Sequence, residues 1–164
     1  MEYNQNTLIR LKEEFKLCSE DIDLCQIGCN FALNQSYFNW NVSMIGPTDT
    51  PYENGLFRIN IIFPSDYPNK GPEFKFENKI YHLNVDMKND FGHICINNIN
   101  QWRTTGKVKN EPDYNVKRAL FDIFSLFFKQ GTIGAYDEEM AKLYMNNPKL
   151  FNENAKQWTK QYAK

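Results

Sequence analysis

The chain has 164 residues, 41% hydrophobic and 15% aromatic, enough apolar material to bury one real core and to predict a single domain spanning 1–164. With 19 basic against 20 acidic side chains the formal charge is -1, so there is no general cationic surface for nucleic acid or anionic lipid. No apolar run approaches the roughly 20 residues that cross a bilayer, and Met1 to Gln5 lack a basic-then-apolar signal pattern, so a cytoplasmic or nuclear location is expected. Along the chain, Leu8, Leu11 and Phe15 recur at helical spacing among Arg10, Lys12, Glu13 and Glu14, which predicts an amphipathic helix from Asn6 to about Cys18. From Cys25 to Ile45 apolar residues alternate on either side of a break at Asn34 to Ser36, predicting two antiparallel strands joined by a short turn. Gly46-Pro47 and Pro51 mark a loop. A third strand then runs from Leu56 to Phe63, closed by Pro64, and Phe74 with Phe76 suggests a shorter fourth.

Between His82 and Pro112 periodicity disappears, and irregular stretches of this length inside a compact domain tend to carry function. Beyond it, Val116, Leu120, Ile123, Phe124 and Phe127 predict a helix buried on more than one side. Helices are also expected over Glu138 to Met145 and from Pro148, the latter with Phe151, Ala155, Trp158 and Tyr162 as its stripe. One helix, four strands and then three helices describe an α+β fold with an antiparallel meander sheet.

Five segments in order resemble the ubiquitin-conjugating enzyme family over about Leu8 to Tyr162. They are Gly55 to Phe76, with its Phe-Pro-x-x-Tyr-Pro turn; Tyr81-His82-Leu83-Asn84; Gly92-His93-Ile94-Cys95-Ile96, followed by Trp102; EEMAKLY; and NAKQWTKQYA. The resemblance implies that Cys95 accepts ubiquitin, or a ubiquitin-like modifier, as a thioester from a separate ATP-using activating enzyme. The modifier then passes to a substrate lysine or a ligase. Asn84 is the implied catalytic partner, His82 and Tyr81 the implied supports of the active-site loop. Arg10, Lys12 and Lys16, with Pro68, Asn69 and Pro112, are the implied contacts for the activating enzyme and ligases. Neither metal nor cofactor is expected, and the chain is expected to act as a monomer. A catalytically inactive ubiquitin-binding variant is the alternative from another functional class.

The chemistry of the residues agrees with this implication. A thiolate attacks thioesters and leaves when an amine attacks, and an ordinary cysteine, with a pKa of about 8.5, supplies enough of it at neutral pH. A side-chain amide near the thioester carbonyl can stabilise the oxyanion, a contribution of roughly 3 kcal/mol. The four cysteines, Cys18, Cys25, Cys29 and Cys95, are too unevenly spread for a disulfide scaffold and are expected to be reduced. Cys25 and Cys29 read as core thiols; a zinc site would need a second close ligand pair. His93, two residues before Cys95, opens a thiol-imidazole pairing and with it a rival cysteine-hydrolase reading, but no third orienting group is evident.

The sequence also departs from the family pattern. Leu83 replaces the usual proline, so the loop gains a backbone donor. The run VDMKNDFGHI is a few residues longer than usual, which puts the reach of Asn84 in question. Asn69 stands where many members carry a large apolar ligase contact, and RTTGKVKN resembles an insertion before Glu111-Pro112-Asp113. Gly134 falls at a gate where acidic or small polar residues are frequent, so slow transfer to lysine is expected.

Overall fold

The structure, a computed structural model, describes residues 4–164, so the reading of Met1 to Tyr3 lies outside the described residues. Asn4 caps helix α1 (Gln5–Ser19) by accepting from the Asn6 N–H at 2.9 Å. The expected stripe turns inward: Leu11 is buried and the Phe15 ring stands edge-on to Trp40 at 5.1 Å. A short helix, α2 (Ile22–Gln26), then occupies residues whose alternation predicts strand. Asp21 decides this locally, because its carboxylate accepts from the N–H groups of Asp23 and Leu24, both at 3.0 Å, and such a cap starts a helix. Cys25 is consequently exposed on α2 while Cys29 is buried, which corrects the reading of both as core thiols. Burial pushes the Cys18 and Cys29 thiols up to about 12.

Strands β1 (Asn30–Asn34), β2 (Ser36–Ile45), β3 (Leu56–Ile62) and β4 (Glu73–Phe76) form a four-stranded antiparallel meander in chain order. Alternation divides its faces. Trp40, Val42 and Met44 of β2, Phe57, Ile59 and Ile61 of β3, and Phe74 and Phe76 of β4 are buried on the inner face. On the outer face the Asn60 amide donates to Asn39 Oδ1 at 2.6 Å and Asn41 Oδ1 at 2.9 Å, so asparagine is used there as a cross-strand polar ladder.

The segment expected to be irregular contains a helix, α3 (Asn97–Thr105), which buries Ile99 and Trp102. Nine residues with only two buried anchors leave little periodicity to read. Helix α4 (Val116–Ser125) continues into a 3-10 turn at Leu126–Phe128, and Arg118 is its one exposed residue, in keeping with the enclosed helix predicted. Helices α5 (Glu138–Asn146) and α6 (Pro148–Tyr162) follow, α6 with proline in its first turn and Phe151, Ala155 and Thr159 buried. The Leu56 N–H donates to Ala163 O at 3.0 Å and ties the end of the chain to β3. Among the described residues no helix is long and apolar enough to cross a membrane.

Candidate active site

Asn84 and Cys95 face each other across the neck of a loop. The Cys95 N–H donates to Asn84 O at 2.8 Å, Val85 pairs with Ile94, and the Asp86 N–H donates to His93 O at 2.9 Å. The loop residues wind around one carboxylate: Asp86 accepts from the N–H groups of Lys88 (2.8 Å), Asn89 (3.0 Å) and Asp90 (3.1 Å). Those backbone donors hold Asp86 below the usual carboxylate range. The loop closes at Gly92, whose φ is +81° and where a Cβ would stand 1.9 Å from Phe76 O, so only glycine fits. At the neck the Asn84 backbone is paired to Cys95.

The Asn84 side chain is committed elsewhere. Its Oδ1 accepts from the Gly131 N–H at 2.8 Å and its Nδ2 donates to Gly131 O at 3.1 Å, a two-point clamp on the loop opposite. A Cβ on residue 131 would lie 2.9 Å from Nδ2, so glycine allows the close approach. His82 supports the turn from below. Its Nδ1 accepts the Asn84 N–H at 3.0 Å, which places the proton on Nε2, shared between the carbonyls of Leu126 (2.7 Å) and Lys129 (2.9 Å). Complete burial lowers its pKa to about 4, so the ring is neutral and structural at physiological pH.

The backbone donor that Leu83 supplies is put to use. Its N–H donates to Gln130 Oε1 at 2.9 Å, Gln130 Nε2 donates to the Tyr52 hydroxyl at 2.7 Å, and that hydroxyl donates to Tyr81 O at 2.7 Å. Tyr81 in turn packs its ring on Phe151 at 5.0 Å and Trp158 at 5.3 Å, fastening the loop to α6.

Cys95 is half-buried and borders an open groove of about 460 Å³, shared with Asn84, Asn98, Asp122, Gly131 and Ile133. Ile133 is 95% exposed, and nothing lies within 4 Å of where a Gly134 side chain would begin. Asp122 is already engaged by the Tyr114 hydroxyl at 2.7 Å. His93 turns toward Asp90, 3.7 Å from its Nδ1, and toward the Tyr136 ring, 6.1 Å centre to centre. Among the described residues no hydrogen bond joins it to Cys95, and its Nδ1 has no hydrogen-bond partner, so the thiol-imidazole pair of a hydrolase is not formed. Tyr136, which has no periodic or motif signal in the sequence, stands edge-on to the His93 ring, on the strand face that His93 shares with Cys95. Glu73, Asp90 and His93 bring potential ligand atoms within 4.8 Å of one another, but Lys75 Nζ, 2.7 Å from Asp90 and 3.5 Å from Glu73, is ion-paired to both carboxylates.

A family model for the ubiquitin-conjugating enzyme matches residues 10–159, spanning both the sheet and this site. The chain belongs to the ubiquitin-conjugating enzyme family. It is 33% identical over 154 residues to the Arabidopsis thaliana "Probable ubiquitin-conjugating enzyme E2 31", covering 94% of this chain and 92% of that protein. The E2 domain of a Toxoplasma gondii ubiquitin conjugating enzyme superposes with a TM-score of 0.78 at 29% identity, covering 98% of this chain and all of that one. A Plasmodium yoelii structure described as belonging to the same enzyme class gives 0.79 at 32% identity, over 95% and 94% of the two chains.

Within this ubiquitin-conjugating fold the residues expected to meet partners divide. Arg10 sits where two surface depressions adjoin, one bordered by Pro68 and Asn69, the other by Pro112, so these four share one end of the molecule. Arg10 is also ion-paired to Glu14 at 2.8 Å and packs over the Tyr67 ring. Lys12 lies over the Tyr37 ring at the sheet side, and Lys16 is exposed on α1. The RTTGKVKN segment is no loose insertion throughout, since it supplies the last turn of α3 before the chain leaves the helix at Gly106.

Proposed function

We propose that the protein accepts ubiquitin as a thioester on Cys95 and passes it to a ligase cysteine in preference to a free lysine. The observation that carries this reading is the placement of Cys95: a half-exposed thiol at an open groove, its backbone held to Asn84. The energy arrives with the modifier, activated by a separate enzyme at the expense of ATP, so this chain needs no cofactor of its own. In loading, the Cys95 thiolate attacks the carbonyl of the incoming thioester and the activating enzyme's thiolate departs. In discharge, a nucleophile attacks the same carbonyl and the electron pair of the broken C–S bond returns to Cys95. The preference for a thiol acceptor follows from the groove: Gly134 offers no side chain to position an amine.

The test is incubation with ATP, ubiquitin and a ubiquitin-activating enzyme, followed by a non-reducing gel. A thiol-sensitive band one ubiquitin heavier, absent in Cys95→Ala, is expected. The loaded protein should discharge slowly to free lysine and readily to a cysteine-bearing ligase. A band that forms only with another ubiquitin-like modifier would reassign the cargo, and failure with every modifier would leave an inactive binding variant.

A further inference from the structure

Two observations converge on Tyr136. The segment His93 to Cys95 is extended, with Ile94 buried in the core and paired to Val85, so His93 and Cys95 project to the same side. The Tyr136 ring stands edge-on to the His93 ring, 6.1 Å between centres and 80° between planes, and so occupies that side. Its backbone is fixed there, because the Tyr136 N–H donates to Leu83 O at 3.1 Å and the next residue, Asp137, caps α5 and pairs with Lys88. Meanwhile both polar atoms of the Asn84 side chain are held by Gly131. Tyr136 is thus placed on the strand face that carries Cys95, while the Asn84 amide is clamped to Gly131.

We propose that the Tyr136 hydroxyl is a hydrogen-bond donor to the Cys95 sulfur whenever that sulfur carries negative charge, in the free thiolate and again as the thioester breaks. This rests on the carrier role of Cys95. In discharge the nucleophile's lone pair forms the new bond to the carbonyl carbon, the C–S bond breaks, and its electron pair goes to Sγ. The nucleophile's proton goes to solvent, while the phenol keeps its own proton and only shares it with sulfur. Burial, followed by the charge on Cys95, pushes the Tyr136 hydroxyl up to about 12, so it remains a donor across the working pH range. The other ionisable groups that face it are Asp86 and Asp90 of the loop tip, which oppose a phenolate still further, and His93.

The experiment is the pH profile of Cys95 alkylation by iodoacetamide in the free protein, followed on the Cys95 peptide by mass spectrometry, for wild type, Tyr136→Phe and Tyr136→Leu. Phe keeps the ring on His93 and removes only the hydroxyl. Both variants are expected to move the midpoint upward by about one pH unit and to slow thioester discharge about tenfold, since a hydrogen bond to a charged group is lost. An unmoved profile in Tyr136→Phe, or a shift only in Tyr136→Leu, would show that the ring merely fills space and would overturn the inference. The alkylation profile needs no activating enzyme and no modifier. Failure of wild type to load any modifier would therefore sink the carrier reading alone, and normal loading with an unshifted Tyr136→Phe profile would sink this inference alone.

Discussion

The sheet and the wall of the groove are held together by different physics. In β2, β3 and β4 every second residue is apolar and buried, and the strands are specified by what they exclude from water. In the wall formed by residues 81–95 and 129–137 the fixed points are polar: a neutral imidazole under the turn, an amide clamped to Gly131, a carboxylate capped by three backbone N–H groups, and a glutamine relay to Tyr52. Apolar burial tolerates small movements, whereas directed hydrogen bonds fix positions to fractions of an ångström. A site that must hold a reacting carbonyl still is built from the second kind.

The largest change is expected on the sheet side. Trp40 is fully buried between Phe15 and Phe63, so Trp40→Ala should cost about 3–5 kcal/mol in urea unfolding. A loss below about 1 kcal/mol would mean that the core is not what supports the sheet. On the wall side, Asn84→Ala removes both bonds to Gly131 and should cost about 2 kcal/mol locally, seen as faster amide exchange at Gly131 and its neighbours. Thioester discharge should fall with it. If discharge dropped about a hundredfold while exchange stayed unchanged, Asn84 would be acting on the oxyanion instead of bracing the loop.

The third expectation concerns pH. Folding lowers the pKa of His82 from 6.5 to about 4, so the unfolded chain binds a proton that the folded chain refuses. The stability contributed by the neutral ring is present above pH 6.5 and is lost as pH falls toward 4, by about 2 kcal/mol between pH 7 and pH 5. Chemical denaturation of wild type and His82→Gln across that window checks it, since the slope should vanish in the variant. The smallest effect belongs to Leu83→Pro, which deletes the N–H bonded to Gln130 and should cost about 1 kcal/mol, measured as a shift in thermal midpoint.

The same contrast explains what could be read from the chain. Alternation at Phe38 to Met44 and Leu56 to Phe63, and helical spacing at Val116 to Phe127, predict elements that the structure contains, because burial writes its period into the sequence. Where one side chain decides the local structure there is no period to follow. Asp21 starts α2 against the alternation around Cys25, and α3 rests on Ile99 and Trp102 alone. The family motif points to Cys95, Asn84 and His82, but Gly131 and Gln130 come to them from across the groove and Tyr136 packs on His93 from the segment before α5. Their roles depend on a distant loop meeting the turn, for which neighbouring residues leave no sign.

The loop between Asn84 and Cys95 has one more consequence. Its neck is closed by backbone pairs from Asn84 to Cys95 and from Asp86 to His93, while Lys88, Asn89 and Phe91 protrude from the tip. Those backbone pairs hold Asn84 and Cys95 in register beneath the tip, while Lys88 ties the tip to Asp137 at the start of α5. A fluorophore or photocrosslinker placed at the exposed Asn89 would accordingly ride within sight of the reaction, as a reporter on whatever docks there.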